Sequence, residues 1–552
     1  MKNIFIHNFR ISDSSRVIAN VEECKTYIRI KFISTIDSKI FEKKYYHKKN
    51  LVIVKFFFVK ESYLFFYLID KKYYLDRIHI KDNKIICQNL FVTEMNNCNL
   101  FRCQDFLFLT SYDNFSISTL YMFSEKNKTF IELNKIKGII YNIFRTTNKI
   151  YFNIKKGKNS CIFELDLFKN EIKDLSISKS SCCINDLNEK YIIFSMSILK
   201  KEIVFVYYIE SKQMLNLSAE FANDIKHLYL MDDNIAVILE CGCNDHLIIF
   251  NLLSQKRFLL DSNGNIFCNM LYFDSKLFYI SSTYKGIFFI KFNLILQKKC
   301  ILKELYKSRN IKMEVEKIQL KGRTLEVLHY LKSKGNKGII IYLHGGPSFH
   351  FRNECNPLCE SLNRDGFEIV CVNYRGSTGY GKSFQNLIDG NWGVMELNDV
   401  IDISEYYYNK YSSKLFLLGE SYGAFLCLHA LLARNNLWEK CCMVSPFISP
   451  FSMYNNIDCF DKNMFKLQLT SPIKFCDKNQ LINVKSKILI FHGKYDNIVP
   501  ISESKKIVDL LIECQKKEDI DFTYIRGDLG HKLIYPSECN MYRKILISFF
   551  NS

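Results

Sequence analysis

Seven polar turns recur through the first three hundred residues at almost constant spacing, and no other feature of the chain limits its fold so tightly. IDSKIF, KDNKII, SEKNKTF, LFKNEI, ESKQML, LSQKRF and LQKKCI each separate two strand-like runs. With Lys39, Lys84, Lys128, Glu171, Gln213, Arg257 and Lys299 as equivalent points, the successive steps are 45, 44, 43, 42, 44 and 42 residues. The runs between them are rich in β-branched and aromatic residues that alternate with polar ones, the period of half-buried strands, and helical periodicity is almost absent. Any all-β sandwich has frequent turns, but it does not explain a repeat this regular. The period is that of a four-stranded propeller blade, and seven blades stacked face to face close a ring around a channel. The ring's own sequence holds no metal cluster, no glycine-rich phosphate loop and no recurrent acidic pair, so its expected roles are shielding, gating or binding.

At 552 residues the chain exceeds one ordinary core, and a two-domain division at 1–305 and 306–552 is expected. An apolar fraction of 48% supports a folded protein, and with 7 prolines and no Pro/Ser/Gly-rich tract the junction is short. The net charge of +19 comes from lysines scattered along the whole chain. Phosphate binding needs clustered cations, so a solvated surface is expected and nucleic acid is not. The 21 cysteines include no C-x-x-C pair, and Cys371, Cys427 and Cys441 sit inside apolar runs. Free thiols in a reducing compartment are therefore expected. MKNIFIHNFR lacks the apolar core of a secretory leader, and LVIVKFFFVKESYLFFYLI is interrupted by Lys55, Lys60 and Glu61. A cytoplasmic protein with no membrane span is the expectation.

From about Ile311 the pattern changes. GIIIYLHGGP, FEIVCVNYRG, KLFLLGES, KCCMVSPF, KILIFHGKYD and FTYIRGDLGH read as strands, and VMELNDVIDISEYYYNKY and SESKKIVDLLIECQKK carry apolar residues at helical steps. This alternation predicts a mostly parallel sheet covered by helices, an α/β-hydrolase-like domain. Within it GESYGA, Gly419 to Ala424, follows the apolar run LFLL. A glycine on either side of Ser421 suits a nucleophile elbow, although an ordinary strand-to-helix turn has the same residues. Serine attack on a carbonyl needs a base, an acid to orient it and donors for the oxyanion. In α/β-hydrolases these follow in the order Ser, Asp or Glu, His. Asp496 after KILIFHGKY and His531 in GDLGH fit that order, with Asp496 alternatively a turn or helix cap and Asp528 the competing acid. The N–H of Tyr422 and the glycines of LHGGP, Gly345 and Gly346, are the candidate oxyanion donors.

HGGP at His344, NYRGSTGYG at Asn373, GNWGVMELNDV at Gly390, GESYGA at Gly419, HGKYDNIVP at His492 and the GH of Gly530-His531 together resemble the prolyl oligopeptidase family of serine peptidases, most of all its acylaminoacyl-peptidase branch. The resemblance covers nearly the whole chain and is strong from about residue 335. It implies a seven-bladed propeller over an α/β-hydrolase domain, an active site between them, and short peptides as substrates. By position the family's nucleophile, acid and base fall on Ser421, Asp496 and His531, and its oxyanion donors on Tyr422 and the HGGP loop. Three departures stand out: Ala424 where relatives have glycine, His344 where an oxyanion phenol would need tyrosine, and Glu22-Glu23 as the only early acidic doublet. The last lies in the first blade rather than mid-propeller, so no amine-anchoring role is carried over to it.

The expectation is a serine peptidase that cleaves amide bonds of short peptides through an acyl-enzyme, with no metal and no organic cofactor, and a homo-oligomer is possible. An esterase or thioesterase on the same scaffold is the first alternative. A propeller-based binding protein with an inert hydrolase half is the second.

Overall fold

The computed structural model describes nearly all of residues 129–552, apart from short stretches that include 176–180, 457–464, 516–520, 528–529 and 532–535; between residues 10 and 128 it describes the strands and little between them. Seven antiparallel sheets follow one another from Arg10 to Lys307, six with four strands in sequential order and the seventh with five. First strands of successive sheets lie side by side from Arg10–Ile11 through Ile225–Met231. The sheets are thus the blades of a propeller. The repeat has a simple structural meaning, because its equivalent points mark the entry to the last strand of each blade. Lys84, Glu171 and Arg257 open the strands Lys84–Thr93, Glu171–Asp174 and Arg257–Asp261, Gln213 precedes Met214–Asn216, and Lys299 is the second residue of Lys298–Lys307. Lys39 and Lys128 lie outside the described residues, each one position before a last strand, Ile40–Tyr46 and Thr129–Lys137.

Blade cores form between neighbouring sheets. Phe101, Phe108 and Leu120 of the third sheet pack with Ile140, Ile150 and Phe152 of the fourth. A strand in such a stack buries alternate residues, as the pattern through Ile117–Ser124 shows.

The second domain has a single eight-stranded sheet in the order Lys312–Leu320, Arg323–Leu331, Glu368–Asn373, Ile339–Leu343, Leu415–Glu420, Lys440–Val444, Lys487–Gly493, Phe522–Gly527. The first two strands pair antiparallel and the remaining six are parallel. All six strands read from the sequence are these parallel strands, and the two helices read there are Met395–Tyr411 and Ile501–Gln515. Both faces are buried. Ile339, Ile341 and Leu343 join the core that includes Val400, Ile403 and Leu511, while Ile340 and Tyr342 join Leu362 and Leu546 on the other face. That is why Ile339–Leu343 is apolar at every position instead of alternating.

Ile339–Leu343 lies between a strand that follows it directly, Glu368–Asn373, and one that comes much later, Leu415–Glu420. The strand order therefore reverses at this point, and crevices at the carboxyl ends of such strands are where α/β proteins place ligands. The HGGP loop and the serine elbow both emerge here.

The halves meet through the tip of a propeller hairpin. Gly242 donates to the Gly379 carbonyl (2.8 Å), the Cys243 N–H to Glu326 (2.6 Å), and Arg352 pairs with Glu240 (2.6 Å). The described cysteines are free thiols, with Cys371, Cys427 and Cys441 buried. Among the described residues no helix is long and apolar enough to cross a membrane.

Candidate active site

Ser421 ends the strand Leu415–Glu420 and caps the helix Tyr422–Ala433 with φ 54° and ψ −114°. A left-handed φ is costly for a residue with a Cβ and persists only where the surroundings enforce it. The flanking glycines explain how. A methyl group on Gly419 would meet the Gly423 carbonyl oxygen at 2.3 Å, and one on Gly423 would meet the Leu343 carbonyl oxygen at 2.3 Å and that of His344 at 2.7 Å. The turn is so tight that helix and strands touch through bare backbone, which is the physical content of G-x-S-x-G. Gly345 lies against the same turn, since its added Cβ would come within 3.3 Å of the Ser421 Cβ. Ala424, the departure from the family pattern, is fully buried in the core.

Asp496 follows the strand Lys487–Gly493 and uses both carboxylate oxygens. Oδ1 accepts the N–H groups of Ile498 (2.9 Å) and Val499 (2.8 Å), and Oδ2 accepts from His531 Nδ1 (2.8 Å) and Ser445 Oγ (2.8 Å). One oxygen thus serves the turn, and the other accepts from His531 and Ser445. Burial alone would raise this carboxyl, but hydrogen bonds from His492 and His531 hold it well below the usual carboxylate range. Asp528, the competing acid, lies outside the described residues.

His531 follows the strand Phe522–Gly527. A carboxylate can only accept, so Nδ1 carries the ring proton and Nε2 keeps its lone pair, the tautomer that a general base requires. Among the described residues no hydrogen bond joins the Ser421 hydroxyl to His531. Catalytic hydrogen bonds of this type commonly tighten only when substrate binds. When protonated, His531 also acts on the residue next to the elbow. Burial raises the Glu420 carboxyl, hydrogen bonds from Tyr342 (2.9 Å) and Tyr542 (3.4 Å) oppose the rise, and so does His531.

Tyr422 is the first residue of its helix, where backbone N–H groups have no intrahelical acceptor. Its phenol donates to Glu396 Oε1, which also accepts the Gly393 N–H at 2.6 Å. Glu396, Ser445, His492 and Tyr374 are site neighbours that motif reading missed. Glu396 lay within GNWGVMELNDV and Ser445 within KCCMVSPF, with no task given to either. His492, four residues before Asp496 in HGKYD, and Tyr374 in NYRG were quoted within motifs but given no task.

A strained serine at a strand-to-helix elbow and an Asp-His pair at neighbouring strand ends, under a seven-bladed propeller, define a propeller-capped α/β-hydrolase. The model of the prolyl oligopeptidase family matches residues 350–552. The chain is 28% identical over 230 residues to dipeptidyl peptidase family member 6 of Caenorhabditis elegans, covering 37% of this chain and 28% of that protein. It is 27% identical over 206 residues to acylamino-acid-releasing enzyme 1 of Oryza sativa subsp. japonica, covering 33% and 26%. The match thus spans little more than a quarter of these relatives' own length. The fold likeness extends much further. Pyrococcus horikoshii acylaminoacyl peptidase superposes with a TM-score of 0.74 at 13% identity, over 97% of this chain and 94% of that one. A puromycin hydrolase does so with 0.73 at 10%, over 98% and 93%.

Proposed function

We propose that the protein is a serine peptidase that hydrolyses amide bonds of short peptides. Ser421 Oγ attacks the carbonyl carbon while His531 Nε2 takes its proton. The tetrahedral oxyanion is held by the N–H groups of Tyr422 and Gly346, with Gly345 beside them. Collapse of this intermediate expels the amine, which receives the proton from His531 and leaves an acyl-enzyme. Water activated by the same imidazole then releases the acid. Asp496 stabilises the imidazolium at each transfer.

The observation that supports this reading most is the joint arrangement of Asp496, bonded to His531 through Nδ1, and Ser421 in its left-handed elbow at the carboxyl edge of one sheet. The relatives named acylamino-acid-releasing enzyme favour substrates with a blocked amino terminus. The propeller, which we divide from the catalytic domain between Lys307 and Lys312, fits a role in limiting access to short chains. A cytoplasmic location agrees with the free thiols.

The test is hydrolysis of a chromogenic amide series with free and acetylated amino termini, alongside Ser421→Ala and fluorophosphonate labelling. Cleavage that favours acetylated members and falls by on the order of 10⁴ or more in Ser421→Ala is expected. Full turnover by Ser421→Ala would exclude the mechanism. Labelling of Ser421 with cleavage of matched esters and of no amide would instead identify an esterase.

A further inference from the structure

Two backbone segments supply the proposed oxyanion donors, and one buried tyrosine touches both. Tyr374, just after the strand Glu368–Asn373, donates its phenol to the His344 carbonyl at 2.7 Å and stacks on the His344 ring with centroids 4.2 Å apart and planes 18° from parallel. Its ring also lies against that of Tyr422, centroids 6.2 Å apart. His344 Nδ1 is 2.7 Å from the Gly345 carbonyl oxygen, and Nε2 is 2.8 Å from Ser377 Oγ. A carbonyl only accepts, so Nδ1 carries the proton, and the Ser377 hydroxyl, which also lies 2.6 Å from the Tyr374 carbonyl oxygen, shares its single proton between that oxygen and Nε2. Burial pushes the imidazole down to about 4, so it is neutral at physiological pH.

These contacts control direction. In a trans peptide the C=O and the following N–H are coplanar and point opposite ways. Holding the His344 carbonyl on the Tyr374 phenol therefore aims the Gly345 N–H away from it. Holding the Gly345 carbonyl on the His344 ring does the same for the Gly346 N–H. Without these bonds two consecutive glycine-containing peptides would be free to rotate, and donors that must reorganise during reaction stabilise an oxyanion far less.

We propose that Tyr374 is a positioning residue of the oxyanion hole, which acts through His344 to aim the N–H groups of Gly345 and Gly346. This assignment rests on the serine-peptidase reading above. Ser377 is its accessory, since it fixes the imidazole from the far side. Tyr407 is the natural control, a fully buried tyrosine of the same core whose hydroxyl bonds Glu316 at 3.3 Å.

The experiment compares Tyr374→Phe, Ser377→Ala and Tyr407→Phe with wild type and Ser421→Ala. It measures kcat and KM on an acetylated amide, inhibition by a peptide aldehyde whose serine adduct carries the oxyanion, and inhibition by the product acid. Tyr374→Phe is expected to lower kcat about 10- to 100-fold, with KM within about twofold. Aldehyde affinity should fall by the same factor as kcat, and product affinity should be unchanged. Ser377→Ala should move kcat and aldehyde affinity together in the same direction, and Tyr407→Phe neither. Serine-dependent turnover in which Tyr374→Phe loses no more kcat than Tyr407→Phe, or keeps its aldehyde affinity, overturns the assignment alone. Full turnover by Ser421→Ala overturns both the assignment and the mechanism beneath it.

Discussion

The two halves of the molecule differ in how much of their sequence their folds prescribe. The inner propeller strands, such as Asn234–Cys241, are buried between neighbouring blades, whereas last strands such as Arg257–Asp261 leave alternate residues exposed. The central hydrolase strands are buried from end to end, and their chemistry is concentrated in the few residues just past each carboxyl end. The sequence comparisons divide in the same place. The family model matches 350–552, yet superposition on a P. horikoshii structure covers 97% of the chain. A blade asks only for alternation and a turn at the right interval, which many sequences supply. An elbow asks for particular atoms, because a methyl group on Gly423 would lie 2.3 Å from a carbonyl oxygen.

That contrast can be broken most directly at the elbow. Gly423→Ala should cost at least about 100-fold in kcat/KM, since a shift of even about 1 Å at a reacting group has that effect. If steady-state kinetics find it near wild type, the hydrolase half is as tolerant as the propeller. Phe194→Ala is the counterpart in a blade. Phe194 is fully buried and stacks on Phe205 with centroids 5.7 Å apart. Its loss should reduce stability by about 3–5 kcal/mol in denaturant titration and leave kcat of the folded protein unchanged. A large fall in kcat there would show that blade packing and catalysis are not separable.

The last prediction concerns acid. Burial pushes His344 and His429 down to about 4, so both are neutral in the folded protein, whereas in the unfolded chain they titrate near 6.5. Between these values the unfolded state binds more protons. Their stabilising contribution is complete above about pH 6.5 and is lost as pH falls toward about 4, on the order of 3 kcal/mol for each. Both tryptophans of the chain, Trp392 and Trp438, are buried in the hydrolase half, so their fluorescence reports that half alone. Acid should therefore change tryptophan emission before it changes the far-ultraviolet signal of the propeller sheets. His429→Gln, which keeps a donor for the Ile448 carbonyl, should shift that transition to lower pH. Coincident transitions in wild type would argue that the halves unfold as one unit.

Much of this was legible from the chain alone. The spacing of Lys84, Glu171 and Arg257 marks blade ends because a four-stranded meander has a fixed length, and strand runs such as KILIFHG are apolar because helices cover both faces. The serine elbow was visible for a steric reason that only glycine satisfies. Less visible were groups whose task depends on a partner distant in sequence. Ser445 and His492 gave no sign that they meet at Asp496, and Glu396 none that it receives the Tyr422 phenol. NYRG was conspicuous as a motif, but its tyrosine had no assignable work until the ring was found on His344.

By itself, then, the sequence determined what local rules can encode: the period of the blades, the change from strand repeats to strands alternating with helices, the glycines of the elbow and the order of Ser421, Asp496 and His531 at the ends of successive elements. Only the tertiary structure gave Asp496 its two sets of partners, the turn N–H groups on one oxygen and His531 on the other. It also set Tyr374 against both His344 and Tyr422, behind the proposed oxyanion donors. Local rules act through steric limits within a few residues of chain, whereas a hydrogen bond between distant residues exists only after the sheet has set their distance and direction.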